Sequence, residues 1–153
     1  ADTASVIRAH VLAMYLPSLA SGLLISQFGE RRLMAVGLLI YIATMAIAWS
    51  GQEVFHYGSA LILLGVGWNF LFVGGTTLLV KTYRPVERFR AQGFNEALVF
   101  GTSAVASLLA GVVLSGIGWQ AVVLATLVPI VLLGAAVVRY LGRPLPQHSA
   151  DTV

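Results

Sequence analysis

Midway along the apolar segment "SALILLGVGWNFLFVGGTTLLVKTY", four residues able to bind something gather on one side of a helix: Trp68, Asn69, Phe72 and Thr76, following Gly65 at steps of three and four. A carboxamide donates two hydrogen bonds and accepts others, while an indole or phenyl ring can stack on a planar or apolar molecule. Asn69 lies near the centre of an uncharged run long enough to cross a bilayer, where an amide is costly unless it bonds to a neighbouring helix or faces a wet cavity. Two roles stay open for it: an interhelical hydrogen bond, or a solute contact shared with Trp68 and Phe72. Thr76 is a weaker fourth member, because a threonine hydroxyl can bond to its own helix's carbonyls.

A second set of candidates is ionic. The stretch "SGLLISQFGERRL" places Gly22, Ser26, Gly29, Arg31 and Arg32 between two apolar runs, and Arg84, Arg88 and Arg90 stand just upstream of Glu96 in "YRPVERFRAQGFNEALVFG". These last four could form a charge network at the membrane surface, although the dipole of a helix alone stabilises a carboxylate in its first turn. A third set concerns packing. Ser18, Gly22 and Ser26 on one helix, and Ser103, Ser107, Gly111 and Ser115 on another, repeat every four residues and make flat stripes that let helices approach closely in lipid. Enzyme chemistry finds no footing: the chain has no cysteine, its histidines His10, His56 and His148 are scattered, and no paired carboxylates, phosphate loop or Ser/His/Asp set is present. No catalytic residue, metal site or cofactor is expected.

The elements that must hold these residues follow from composition. The 153 residues are 58% hydrophobic and 10% charged, with a mean hydropathy of +0.89. Uncharged runs of roughly 20 residues recur without the two-residue alternation of a barrel strand, which leaves an all-α integral membrane protein. The ends marked by glycines and Pro85 predict five transmembrane helices over about 6–27, 33–49, 59–83, 94–115 and 119–141, one bundle over 1–141, and a Pro-rich disordered tail over 142–153. Pro17 and Pro129 predict kinks. The second and fifth helices are nearly pure hydrocarbon and suit lipid-facing positions.

The net charge of +3 does not point to nucleic acid, because the basic residues sit in connectors. Arg31, Arg32, Lys81, Arg84, Arg88, Arg90, Arg139 and Arg143 fall on one face, which predicts a cytoplasmic side, with Trp49, Tyr57 and Trp119 at the other interface. A multi-pass cell-membrane protein with its C-terminus inside and this chain's N-terminus outside is expected, and that start predicts at least one helix upstream of Ala1.

"SGLLISQFGERRLMAVG" resembles the loop signature of the major facilitator superfamily, G-x-x-x-D-R-x-G-R-R. Gly22 matches the leading glycine, Gly29 the later one and Arg31 a closing basic residue, with Arg32 one position beyond. Ser26 stands where the family has its acid, Gln27 where it has its first arginine, and Glu30 in place of a basic residue, a decay typical of the motif's second copy. "HVLAMYLPSLASG" and "GVGWNFLFVGGTTLL" with the segment that follows look like the eighth, tenth and eleventh helices of bacterial members.

The resemblance implies that residues 5–141 are five of the six helices in the C-terminal half of a secondary transporter. Its partners would be the lipid bilayer, the missing N-terminal half and a small-molecule substrate moved by alternating access. Trp68, Asn69, Phe72 and Thr76 would then line the cavity, and the loop from Phe28 to Arg32 would act at the cytoplasmic gate. The alternative is a stand-alone small membrane protein serving as an assembly or dimerising partner. An integral membrane enzyme is a distant third.

Overall fold

The computed structural model describes residues 3–142, so the part of the expected tail from 143 to 153 lies outside the described residues. The chain runs as α1 (Thr3–Tyr15), α2 (Ser18–Ser50), α3 (Val54–Val80), a 3-10 turn (Pro85–Glu87), α4 (Arg88–Gly116), α5 (Trp119–Ala125) and α6 (Leu127–Leu141), with no strand among the described residues. By length and composition, four stretches are able to cross a membrane: Thr3–Ser50, Val54–Val80, Pro85–Gly116 and Trp119–Tyr140.

The first of these, at 48 residues, would be ~72 Å long if straight, more than twice the thickness of a hydrocarbon core. It does not run straight. Gly29 has φ 79° and ψ 155°, a backbone region essentially closed to residues with a Cβ. The partners on either side of it run in opposite directions along α3. Before Gly29, His10 meets Leu61 and Met14 and Ser18 meet Asn69, a parallel register. After it, a Cβ on Gly74 would press on Met34, and one on Gly67 would press on Tyr41, an antiparallel register. Residues 3–28 and 30–50 are therefore two arms of a hairpin, so the described residues form five apolar arms within the four stretches long enough to cross a membrane.

The boundaries differ from expectation for physical reasons. Gly58 and Gly93 lie inside α3 and α4, which start at Val54 and Arg88, because a backbone entering lipid keeps its hydrogen bonds internal and tolerates glycine rather than ending there. Pro17 does break its helix: it has no N–H to offer Ala13, and Leu19 N–H bonds to Leu16 O at 3.2 Å in a tightened turn. The last passage breaks at Thr126 in the same way, since Pro129, in the first turn of α6, has no N–H to offer Ala125.

α3 is the central strut, with α1 on one side and the second arm of α2 on the other. The closest approach is made through glycines: a Cβ on Gly37 would lie 3.1 Å from Gly67 O, and one on Gly65 would lie 2.8 Å from His10 O and 3.0 Å from Met14 N. α6 lies along α2, and the Trp119 indole N–H donates to Ala48 O at 3.1 Å. Among the described residues α4 packs chiefly against the 3-10 turn before it and α5 after it, and none of its residues is buried.

Candidate functional site

Two constellations stand out, one at mid-span and one at the end of the bundle that carries the basic connectors. At mid-span the Asn69 side chain is 1% exposed. Its Nδ2 donates to Met14 O at 2.7 Å and to Ser18 Oγ at 2.6 Å, and its Oδ1 accepts from Ser21 Oγ at 2.8 Å. The Ser21 proton is shared, since Pro17 O lies 2.9 Å from the same hydroxyl. The break at Pro17 accounts for this node. Met14 O belongs to the last turn of α1, where carbonyls lack intrahelical partners, and an amide at Asn69 supplies one. Both amide hydrogens are used, so in this conformation Asn69 ties the kink in the first passage to α3.

The rings beside it are freer. Trp68 and Phe72 stack with centroids 4.7 Å apart and planes 9° from parallel, and both are half-buried. Thr76, a turn further along, is also half-buried. The structure thus splits the expected set: the aromatic pair keeps ring surface available, whereas the carboxamide is occupied between helices.

At the basic end, Glu30 is buried at 7% exposure in the connector, and its Oε1 accepts from Lys81 Nζ at 2.7 Å. Tyr140 Oη stands 3.5 Å from the same oxygen, and the Arg31 guanidinium lies 4.2 Å over the Tyr140 ring. The hydrogen-bonded Lys81 ammonium holds the Glu30 carboxyl below its ordinary value against the opposing pull of burial. This cluster joins the hairpin, α3 and α6 at the end that carries the basic connectors. Sequence reasoning passed over Glu30 and Lys81 as a pair; the available signal was an acid where the family pattern has a base, together with the chain's single lysine.

The other expected residues are dispersed. The described residues hold no ion pair among Arg84, Arg88, Arg90 and Glu96. The three arginines are exposed, Arg88 lies 4.5 Å over the neighbouring Phe89 ring, and Glu87 rather than Glu96 accepts from the Arg84 backbone N–H. The cause is spacing: Glu96 is two helical turns beyond Arg88, out of reach of a side chain at the helix start. In the connector, Gly29 makes the reversal, Ser26 Oγ bonds back to Leu23 O at 2.8 Å, Arg32 is exposed and Gly22 meets no neighbour. Ser18 does join helices, through Asn69. The stripe of Ser103, Ser107 and Gly111 on α4 is exposed along its length, and no helix of the described residues lies on it.

The family model for the Major Facilitator Superfamily matches residues 3–152. A riboflavin transporter of Brucella anthropi, RfnT, is 44% identical over 116 residues, which cover 76% of this chain and 29% of that protein. Two uncharacterized MFS-type transporters of Bacillus subtilis are also similar: YdeG at 35% identity over 76% of this chain and 27% of its own length, and YddS at 33% over 90% and 32%. The chain therefore spans less than a third of the length of these curated relatives. No solved structure matches.

Proposed function

The chain belongs to the Major Facilitator Superfamily, and from that premise we propose that it forms five passages in the C-terminal half of a transporter that moves a small planar solute by alternating access. Its partners in that role are the bilayer and the remaining helices of the transporter. The observation that carries the solute reading is the Trp68–Phe72 stack, two nearly parallel, half-buried rings beside the polar node of the central helix. Such a pair offers a flat apolar face to a flat heteroaromatic ring, as the isoalloxazine of riboflavin is, and the similarity to a riboflavin transporter makes that solute class the first to try. Asn69 serves the same site from behind, by fixing the kink beside it.

The basic end is the cytoplasmic one in this reading, and Glu30, Arg31, Lys81 and Tyr140 hold the hairpin to α3 and α6 there while the two halves rock. Single cysteines at the exposed positions Gln52 and Arg32, in the intact transporter with any cysteine outside this chain replaced, test the orientation. A membrane-impermeant maleimide added to intact cells should label the Gln52 variant and spare the Arg32 variant. The solute reading is tested by uptake in cells producing the intact transporter. Trp68→Ala and Phe72→Ala should each raise KM for riboflavin or a related flat heterocycle roughly three- to tenfold at unchanged surface expression. Unchanged KM in both variants, or equal uptake of non-planar solutes, would remove the stack from the site.

A further inference from the structure

We propose that His10 is a proton-binding site, a protonatable clip whose charge state sets how tightly α1 is held to α3 at the Trp-rich end of the bundle. His10 Nδ1 lies 2.6 Å from Leu61 O. A carbonyl has only lone pairs to offer, so Nδ1 must carry the hydrogen, and the basic atom of the neutral ring is Nε2. The ring sits where the two helices touch backbone to backbone, since a Cβ on Gly65 would stand 2.8 Å from His10 O. Leu61 is four residues, ~6 Å, inward of Tyr57, which packs edge-on against Trp119 with centroids 4.8 Å apart. An imidazole below that aromatic layer, bonded to a main-chain carbonyl, is an ionisable group inside the membrane rather than a solvated one at its surface.

Proton uptake at Nε2 leaves the Nδ1–H bond to Leu61 O in place and makes it charge-assisted, which roughly doubles its strength. Acid therefore tightens α1 on α3 and base loosens it. Among the described residues few other charges bear on the site. Arg8 precedes His10 by two residues and lies on another side of α1. His56 on α3 and Glu53 at its N-cap are five and eight residues from Leu61 toward the helix start, and the described residues hold no ion pair to any of these. The neighbouring stretches of α2 (44–50) and α5 (119–125) carry no ionisable side chain.

Proton binding at His10 stands on geometry alone; its effect on transport rests on the reading above. Two measurements separate them. Nitrogen-15 NMR of histidine-labelled intact transporter, with the His10 signal assigned by its loss in His10→Asn, should show Nδ1 protonated throughout and Nε2 gaining its proton when the medium is acidified from about pH 8 to about pH 5. Uptake over the same range should change about fivefold in the wild type, the low end for two coupled ligands. His10→Asn, which keeps a donor at the Nδ1 position and cannot take a proton, should flatten that profile while retaining uptake. A His10 ring that stays neutral across the range, or a His10→Asn profile that follows the wild type, overturns the proposal. Should His10→Asn fail to insert, the ring titration decides, with the signal assigned by His10→Gln. A titrating His10 in a protein that takes up no tested solute upholds the proton site and counts against the transport reading.

Discussion

Replacing Asn69 by alanine is expected to cost the bundle about 1 to 2 kcal/mol while leaving solute affinity nearly unchanged. The magnitude comes from the node itself. The amide is 1% exposed and makes three contacts across helices, to Met14 O, Ser18 Oγ and Ser21 Oγ. Interhelical hydrogen bonds in membrane proteins average about 0.6 kcal/mol and reach about 1.7. The Ser21 proton is divided between Asn69 and Pro17 O, so it counts only in part. Alanine also leaves Met14 O without its partner at the break in the first passage. The assay is equilibrium unfolding of the intact transporter in mixed detergent, run as a double-mutant cycle with Ser18→Ala. Because the two side chains are bonded at 2.6 Å, their effects should not add, and the coupling should be at least about 0.5 kcal/mol. Stability within about 0.5 kcal/mol of wild type, no coupling to Ser18, and a roughly tenfold rise in KM would refute the tie between Asn69 and the kink and give the amide to the solute.

Other substitutions separate close packing from open surface. Gly65→Ala puts a Cβ 2.8 Å from His10 O and 3.0 Å from Met14 N, main-chain atoms that cannot rotate away, and should cost about 1–3 kcal/mol in the same unfolding assay. Gly75→Ala meets nothing within 4 Å and should be neutral or stabilising by up to about 1 kcal/mol through helix propensity, which makes it the control. Gly29→Ala is strained at φ 79° whatever the space around it, so a cost of about 1–3 kcal/mol is expected even though no neighbour lies within 4 Å; a cost below that of Gly75→Ala would contradict the reversal. At Glu30 the folded carboxyl is held below its ordinary value of 4.5, so its pair with Lys81 contributes stability above about that pH and loses it as the pH falls through the lowered value. Lys81 is 57% exposed, which limits the effect to about 1 kcal/mol, and Lys81→Met should remove this part of the acid sensitivity; an unchanged pH dependence of the unfolding midpoint would show that the pair contributes nothing.

The number of passages was legible because lipid enforces it: a run of about 20 apolar residues has few alternatives to a helix, and the glycine at position 29 sits where the chain must turn back. The same rule explains the misjudged boundaries at Gly58 and Gly93, since glycine ends a helix in water far more readily than at the edge of a membrane, where an unpaired backbone group has nowhere to go. The chemistry of Asn69 was legible in kind, a buried amide needing partners, yet those partners lie 48 to 55 residues away. No local spacing announces them, and one of them, Ser18, reads in the sequence only as a small residue suited to packing.

Glu30 shows the opposite case. Its position in a worn family motif marked it as a departure, and the departure turned out to be the acid of the one ion pair among the described residues. A motif comparison scores such a residue as decay because it looks only along the chain, whereas the fold supplies a new partner, Lys81, from the C-terminal end of α3. The stripe on α4 marks the boundary of what pattern can say. Ser103, Ser107 and Gly111 repeat as a close-packing surface should, and in the fold that surface is open. Residue spacing specifies the shape a helix presents; what lies against it depends on which other helices share its bilayer.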